Sequence, residues 1–285
     1  MKELVPGQYT SEELCQEIAE RSGGVCLLGF SRGKDSIVAW LKLRQFFKRV
    51  IPFHAASVLG LGFVERSLAY YERVFDTPIE RCVSGELTES LFCLDYQPIE
   101  DADTIEKMNL WQYNNNDIAD RVREKHGVPG AWVAYGINMT DSLDRRIYIK
   151  NRGGINEEHL SFYPCFDYKR ERIMSELLAS GIKLPEDYLL ACRSFAGLPT
   201  VRHLERMERI FPEDFAIVEA HYPFIRAQMA RAAFRLAHQE VPNGQEDGRT
   251  NAASGADPVQ NRPGRAREVE RLTASPGARI GTTRN

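Results

Sequence analysis

The sequence predicts an α/β fold, a parallel twisted sheet with helices on both faces, followed by a helical C-terminal extension. Three observations predict this class. Short apolar runs alternate with longer stretches of helical periodicity, a polar turn containing Gly33 joins the first run to a helix, and helical patterns dominate after about residue 168. Strands that alternate with helices pair in parallel through right-handed crossovers, so both faces of the sheet have helices available to cover them.

Each predicted strand is an apolar run bounded by polar or glycine residues. The predicted strands cover 25–30, 50–58, 78–83 and 132–137. The helices show apolar residues at helical spacing, and the first of them opens with Thr10 and Glu13, which form a capping signal. The remaining predicted helices cover 35–47, 63–75, 117–126, 168–180 and 201–237.

The composition changes at about Gln239. The stretch 239–285 has no aromatic residue and is rich in Gly, Pro, Ser, Thr, Asn and Arg, so it buries too little apolar surface to offset the entropy lost on ordering. We predict three regions: an α/β domain over 1–198, a helical extension over 199–238 and a disordered tail over 239–285.

The bulk composition is that of an ordinary globular protein. Among 285 residues, 43% are hydrophobic and 27% charged, and the formal net charge of -3 gives no reason to expect a protein of nucleic-acid or membrane surfaces. The longest apolar runs are too short to cross a bilayer, and the amino terminus lacks the apolar core of an export signal. We therefore expect a cytoplasmic protein with no membrane partner.

The six cysteines are expected to be reduced and mostly buried. The sequence contains no C-x-x-C pair and no cluster of cysteines at the spacing that zinc or iron–sulfur sites need, so no iron–sulfur cluster is expected. The six histidines, among them His54, are scattered along the chain, and we expect core or solvated roles for them.

The segment S-R-G-K-D-S at 31–36 is the candidate binding loop, because it joins a predicted strand to a predicted helix. A helix that begins at the carboxyl end of a parallel strand offers unpaired backbone N–H groups and the positive end of its dipole to a phosphate. Gly33 allows a tight turn and a close approach of the anion. The side chains expected to donate to phosphate oxygens or to add positive charge are Ser31, Arg32, Lys34 and Ser36.

Asp35 is the unusual member of this loop, since a phosphate repels a carboxylate unless something lies between them. Asp35 could hold a magnesium ion or cap the helix. The segment does not match G-x-x-x-x-G-K-[ST], because Asp35 follows Gly33 and Lys34 directly and no glycine stands at the required upstream position.

The loop resembles the pyrophosphatase loop, or PP-loop, of the adenine nucleotide α-hydrolase-like superfamily. Within that superfamily it is most similar to the phosphoadenosine phosphosulfate reductase family. Weaker similarities to that family lie at 60–65, 136–146, 162–168, Tyr188 and Arg193, so that the resemblance covers roughly 20–200. It implies a Rossmann-like fold, a domain over 1–198 that binds nucleotides, and ATP or an adenylyl-sulfate nucleotide with Mg²⁺ as the cofactors.

The resemblance also implies roles for residues outside the loop. The backbone near Ser57 would meet the adenine, while Ser142 and Arg145 would line the far side of the site. From the residues themselves, Gly136 ends a strand at the same sheet edge as Ser31, so the two can share one crevice. The catalytic candidates are Lys34, Asp35 and Arg145, and Arg146 could neutralise anionic charge in place of Arg145. The metal candidate is Asp35, which Asp141 and Asp144 could assist.

The sequence departs from the reductase family in one respect that bears on activity. Reductases of that family attack sulfur with a cysteine in a late E-C-G-[LI]-H segment, and this sequence has no such segment. Cys165 and Cys192 remain candidate nucleophiles, with Arg193 beside Cys192. Asn138 stands where the family has an arginine after the strand, and Tyr168 stands where it has a tryptophan.

Three functions stay open from the sequence. The first is cleavage of ATP to AMP and pyrophosphate with adenylation of an acceptor, the second is thiol-dependent reduction of an adenylyl-sulfate nucleotide, and the third is nucleotide sensing without turnover. The acceptor is unidentified, and in the superfamily acceptors range from small metabolites to nucleic-acid bases, although nothing here indicates a nucleic acid. The helices over 201–237 could pack against a second subunit of a homo-oligomer.

Overall fold

The computed structural model describes residues 7–110, 113–140, 142–191, 194–195 and 201–239. The predicted tail after Gln239 lies outside these residues. Asp141, Cys192 and Arg193 lie outside them too.

Six strands form one sheet, parallel except at one edge. The order across the sheet is β3-β2-β1-β4-β6-β5, and only β5, paired with β6, runs antiparallel. The strands are β1 (Val25–Gly29), β2 (Arg49–Ala56), β3 (Glu80–Val83), β4 (Trp132–Tyr135), β5 (Ile155–Asn156) and β6 (Ser161–Phe162). All four predicted strands are confirmed, each with its ends within two residues of the predicted ones. The two-residue strands β5 and β6 are too short to show in a sequence pattern.

Twelve α-helices occur in the described part of the chain. They are α1 (Ser11–Arg21), α2 (Lys34–Phe46), α3 (Gly62–Phe75), α4 (Gly85–Phe92), α5 (Ala102–Lys107), α6 (Asn115–His126), α7 (Leu143–Arg152), α8 (Arg170–Ser180), α9 (Tyr188–Ala191), α10 (Val201–Ile210), α11 (Pro212–His221) and α12 (Ile225–Gln239). None of them has the length and apolar character needed to cross a bilayer.

The late helical stretch predicted as one run over 201–237 is three helices, α10 to α12. Pro212 opens α11, where its missing N–H costs no hydrogen bond because the first turn of a helix has no partner for it. The sequence pattern missed α4, α5, α7 and α9. Exposed and weakly amphipathic helices give little periodic signal; in α7, for example, only Ile149 is buried.

Helices cover both faces of the sheet, as predicted. Successive residues of a strand point to opposite faces, so an uninterrupted apolar strand such as β1 needs cover on both sides. Leu27 packs on one face with Ile118 and Val122 of α6, whereas Leu28 packs on the other face with Val38 of α2 and Leu68 of α3. The fold is therefore a three-layer α/β arrangement.

The strand order creates a crevice where the site is expected. β1 lies between β2 and β4. The chain leaves β1 toward β2 on one side, whereas it leaves β4 toward β5 and β6 on the other side, so the connections that follow β1 and β4 diverge. In open parallel sheets, ligands bind at such a switch point, beyond the carboxyl ends of the strands. The segment that follows β1 at this point is the 31–36 loop.

The helical extension packs on the α/β domain and shares its core. The Asp214 carboxylate of α11 accepts a hydrogen bond from the Gly62 N–H at the start of α3. The ring of Phe211 lies 5.0 Å from that of Phe63, centroid to centroid. Because Met207 also belongs to the main apolar cluster, the extension contributes to that cluster.

We expect Asp214→Ala to lower the free energy of unfolding by about 1.5–3 kcal/mol, because it removes a buried carboxylate and leaves the half-buried Gly62 N–H without its charged acceptor. Thermal and urea unfolding followed by circular dichroism measures this. The exposed neighbour Glu213→Ala is the matched control and should change stability by less than about 0.5 kcal/mol. If part of the wild-type protein unfolded in a separate transition at lower temperature or urea concentration, the helical extension would not share the core.

Candidate functional site

The loop between β1 and α2 is held by hydrogen bonds among its own residues. Ser36 Oγ donates to the Gly33 carbonyl at 2.9 Å, and Ser31 Oγ donates to Ser36 Oγ at 3.2 Å. The Gly33 N–H donates in turn to Ser31 Oγ at 3.4 Å. Of these three residues only Ser31 is exposed. Ser36 therefore shapes the turn, and Ser31 is the serine that a ligand reaches.

Arg32 does not face the crevice with its side chain. Its backbone has a φ of 64°, in the left-handed region, and its side chain is completely buried. The guanidinium donates to both carboxylate oxygens of Asp187, at 3.2 and 3.0 Å, and also to Ser67 Oγ at 3.0 Å and the Phe195 carbonyl at 3.3 Å. The side chain therefore does not reach the crevice to bind phosphate, contrary to the sequence prediction. It forms a structural ion pair instead, since a buried guanidinium requires a paired carboxylate.

The chain near residue 190 covers part of the loop. The Lys34 N–H, which the sequence assigned to phosphate, donates to Tyr188 Oη at 2.9 Å. Gly33 is buried, and a Cβ at that position would lie 3.1 Å from Ser194 Oγ and 3.5 Å from Tyr188 Oη. The loop is consequently less open than the sequence suggested, and its accessible groups are side chains rather than the first amides.

Lys34 and Asp35 form the accessible charged pair of the loop. Lys34 Nζ lies 2.5 Å from Asp35 Oδ2, and each side chain is 24% exposed. Asn138, which is buried, donates from Nδ2 to Asp35 Oδ1 at 3.3 Å and accepts the Thr140 N–H at 2.9 Å. Asn138 therefore orients the Asp35 carboxylate, a role that the sequence did not reveal.

Gly136 brings the end of β4 against the start of α2. A Cβ there would lie 2.7 Å from both the Asp35 carbonyl carbon and the Ser36 nitrogen, closer than such atoms approach. Gly136 is thus required for the close contact between β4 and the loop. Its proposed contact with a nucleotide stays a prediction.

A cavity of about 220 Å³ opens beside the loop, at the carboxyl ends of β1, β2 and β3. Ser57, which the resemblance placed near the adenine, lines it, and its Oγ donates to Glu86 Oε2 at 2.9 Å. The lining residues are Gly29, Phe30, Ser31, Phe53, His54, Ala55, Ala56, Ser57, Val58, Ser84, Glu86, Asn115, Tyr135 and Phe195. We call this space the first cavity.

His54 is the one buried ionisable side chain on the wall of the first cavity. Its Nδ1 lies 2.9 Å from the Phe30 carbonyl oxygen. Burial and the nearby positive charge of Arg32 lower the pKa of His54 to about 3, so the imidazole is neutral at physiological pH. From the sequence, His54 was expected only to have a core or solvated role, although a histidine inside an apolar strand is a signal that a polar partner lies nearby.

Ser142 and Arg145 lie at a different place from the loop. Ser142 caps α7 by accepting the Arg145 N–H at 3.2 Å, and both side chains are exposed. Arg145 lines a second cavity of about 320 Å³, together with Ile137, Asp144, Tyr148, Ile149 and Tyr163. No loop residue lines this second cavity. The roles predicted for Ser142 and Arg145 at the nucleotide stay predictions.

The cysteine chemistry expected of a reductase has little support in the described residues. Cys165 is buried, and burial raises the pKa of its thiol well above the usual value. A thiol in that environment stays protonated and is a poor nucleophile. Cys192, the other candidate, lies outside the described residues.

The predicted metal ligand, Asp35, lacks neighbouring ligands of the same kind. Within the part of the chain that the structure describes, no group of three or more His, Cys, Asp or Glu side chains is placed to hold a metal ion. Asp144 lies on α7 beside the second cavity. Any divalent ion at Asp35 would have to take most of its ligands from water or from a bound phosphate.

Comparisons with known proteins find a weak similarity to solved structures. No family model matches the chain, and no curated protein matches it. A similar solved structure is an NH3-dependent NAD synthetase from Campylobacter jejuni in complex with the nitrate ion, at 13% sequence identity and a TM-score of 0.40. That match covers 83% of this chain and 96% of the synthetase chain. At such values it carries no argument about function.

We expect Asp187→Asn to destabilise the protein by about 3–5 kcal/mol, because it leaves the Arg32 guanidinium buried without its counter-charge. Urea unfolding followed by intrinsic fluorescence measures the change. Glu186→Gln is the matched control, since Glu186 pairs with Arg66 at 2.8 Å on the surface and should contribute less than about 1 kcal/mol.

A double variant separates charge from shape at the same position. Arg32→Met with Asp187→Leu removes both charges, so it should recover part of the stability that Asp187→Asn loses. If the free energy of unfolding of Asp187→Asn is within about 1 kcal/mol of the wild-type value, the ion pair does not stabilise the loop as described.

Proposed function

We propose that the protein binds an adenine nucleotide at the 31–36 loop and cleaves ATP to AMP and pyrophosphate, adenylating an acceptor. The observation that supports this best is the accessible pair of Lys34 and Asp35 at the switch point of the sheet, near a cavity at the same edge. The resemblance of the loop to the PP-loop supports ATP as the nucleotide.

The phosphates would lie against the accessible side chains of the loop. Ser31 can donate its hydroxyl and Lys34 its ammonium group, at the amino end of α2 where the helix dipole is positive. Lys34 pairs with Asp35 in the structure. A phosphate that binds the Lys34 ammonium group would remove this pairing and leave the Asp35 carboxylate without a counter-charge.

Magnesium fits that need. It binds proteins through one or two carboxylates and otherwise keeps water and substrate phosphate oxygens, so a single carboxylate at this position suffices. Asp35 would hold the ion, with its orientation fixed by Asn138, and the ion would neutralise phosphate charge.

The adenine would occupy the first cavity. Phe53, Tyr135 and Phe195 provide aromatic surface there, and Ser57 lies at the end of β2. A cavity with apolar walls and few polar groups suits a planar base, because ring stacking and a small number of hydrogen bonds fix its orientation.

The reaction is a substitution at the α phosphorus. An acceptor oxygen forms the new bond to phosphorus, the bond from the α phosphorus to the bridging oxygen breaks, and pyrophosphate leaves with the electron pair. Lys34 stabilises the negative charge that develops on the leaving group. An amine or sulfur nucleophile then displaces AMP from the adenylated acceptor. Arg145 would act on the acceptor side, since it lines the second cavity.

Thiol-dependent reduction of an adenylyl-sulfate nucleotide is the alternative that the family resemblance suggests. It requires a thiolate, and Cys165 is poorly suited to provide one. We expect Cys192→Ser and Cys165→Ser to leave pyrophosphate release from ATP unchanged. Loss of sulfite release from an adenylyl-sulfate nucleotide in either variant would instead favour the reductase.

We expect Lys34→Ala to raise the Kd for ATP by about tenfold to a hundredfold, because it removes a charge-assisted hydrogen bond to phosphate. Isothermal titration calorimetry with ATP and Mg²⁺ measures this. Lys48→Ala is the control, since Lys48 is exposed and precedes β2 at the opposite edge of the sheet; its Kd should stay within about twofold.

Pyrophosphate release under the same conditions separates catalysis from sensing. Release that depends on an added acceptor and is lost in Lys34→Ala supports the adenylating enzyme. Tight ATP binding without release under any acceptor would indicate a nucleotide sensor, and failure of the wild-type protein to bind ATP would refute the proposed site.

A further inference from the structure

His54 is a polar residue in an otherwise apolar part of β2. The strand is buried from Val50 to His54, and its neighbour Phe53 packs in an apolar cluster. A polar side chain in such a strand requires a hydrogen-bond partner. One ring nitrogen has a partner in the Phe30 carbonyl, at 2.9 Å.

That hydrogen bond fixes the tautomer of the ring. A carbonyl oxygen only accepts, so Nδ1 must bear the proton that it donates to Phe30. In a neutral imidazole the other nitrogen, Nε2, then presents a lone pair and can only accept. Turning the ring over would break the bond to Phe30, so the acceptor character of Nε2 is fixed by the backbone that leads into the loop.

The Nε2 atom keeps some solvent-accessible surface. Nε2 has no hydrogen-bond partner in the described part of the chain. Among the described residues, Arg32 Nε is the only side-chain nitrogen or oxygen that is both fully buried and without a partner. Since Nε2 is without a partner but is not such an atom, it is not fully buried. His54 is 94% buried and lines the first cavity. The small accessible part of the ring, which includes Nε2, therefore opens on that cavity.

We propose that His54 Nε2 accepts a hydrogen bond from the exocyclic amine of the bound base and so selects adenine over 6-oxopurines. This inference rests on the proposed function, which places a purine base in the first cavity. Hypoxanthine and guanine present a carbonyl oxygen where adenine has its amine. Two acceptors would then face each other without a proton between them, and a buried polar group without a partner is costly.

The other polar side chains of the cavity are less selective. Glu86 is also an acceptor, but it is exposed and already accepts from Ser57 Oγ at 2.9 Å. Ser31 and Asn115 are exposed as well, so water can satisfy them whichever base is bound. Ser57 and Ser84 are buried on the same wall, but a hydroxyl group can donate as well as accept and so fits either base. Selection between an amine and a carbonyl therefore depends on the buried acceptor, His54.

The test compares the Kd of ATP with that of inosine triphosphate, which has a 6-oxo group and a protonated N1 where ATP has a 6-amino group and an unprotonated N1. Isothermal titration calorimetry on the full chain gives both constants for the wild type, His54→Leu and His54→Gln. We expect the wild type to favour ATP by about tenfold or more, as a site built to pair a ligand N–H does. His54→Leu should reduce the ratio to within about twofold, and His54→Gln, whose amide can both donate and accept, should keep most of it.

The ratio of the Kd for inosine triphosphate to the Kd for ATP does not change when a variant binds both nucleotides more weakly by the same factor. His54→Leu also removes the hydrogen bond to Phe30, and any loss of affinity from that change affects both nucleotides alike and leaves the ratio informative. Melting temperatures show whether each variant is folded. If His54→Leu does not fold, His54→Gln and the wild-type ratio decide the outcome.

Two results would overturn the inference while leaving the proposed function standing. One is a wild-type protein that binds ATP but binds inosine triphosphate as tightly. The other is a His54→Leu variant that keeps the wild-type ratio, or that loses discrimination between ATP and 2′- or 3′-deoxy-ATP instead, which would assign the nitrogen to the ribose. Failure of the wild type to bind either triphosphate refutes the proposed function itself.

Discussion

The site depends on one buried ion pair, between Arg32 and Asp187. Both side chains are fully inaccessible to solvent, and the pair joins the 31–36 loop to a segment 155 residues away in sequence. Asp187 also accepts the Phe195 N–H at 2.5 Å, so the same carboxylate holds the loop and the chain that covers it. Such a pair adds little net stability relative to apolar residues, but breaking one half leaves a charge without compensation. Its effect is to fix one arrangement of the loop.

That arrangement decides which groups a ligand can reach. With Arg32 turned into the core and Tyr188 bonded to the Lys34 N–H, the accessible chemistry is that of side chains: the Lys34 ammonium, the Asp35 carboxylate and the Ser31 hydroxyl. If a phosphate binds as proposed, Lys34 and Asp35 must exchange partners, so an anion and a divalent cation together would satisfy this set better than an anion alone.

Two cavities lie on either side of one glycine. Tyr135 lines the first and Ile137 lines the second, so Gly136 alone separates them along the chain, and it packs directly on the start of α2. An enzyme that joins two substrates needs adjacent sites that meet at the reacting group. The buried wall at His54 and the space near Arg145, which Tyr148 and Tyr163 line, differ in their chemistry, and the 31–36 loop borders the first cavity through Ser31.

The sequence alone determined the α/β class, the four main strands and the loop, because these features follow from local patterns: apolar runs, helical spacing and a glycine turn. Only the tertiary structure decided what individual side chains do. The sequence predicts Arg32 as a phosphate ligand, but in the structure its guanidinium pairs with Asp187. His54 was expected to have a core or solvated role, but it lines the first cavity. Local periodicity specifies backbone form, whereas the partner of a polar side chain depends on contacts between segments far apart in sequence, which no local pattern encodes.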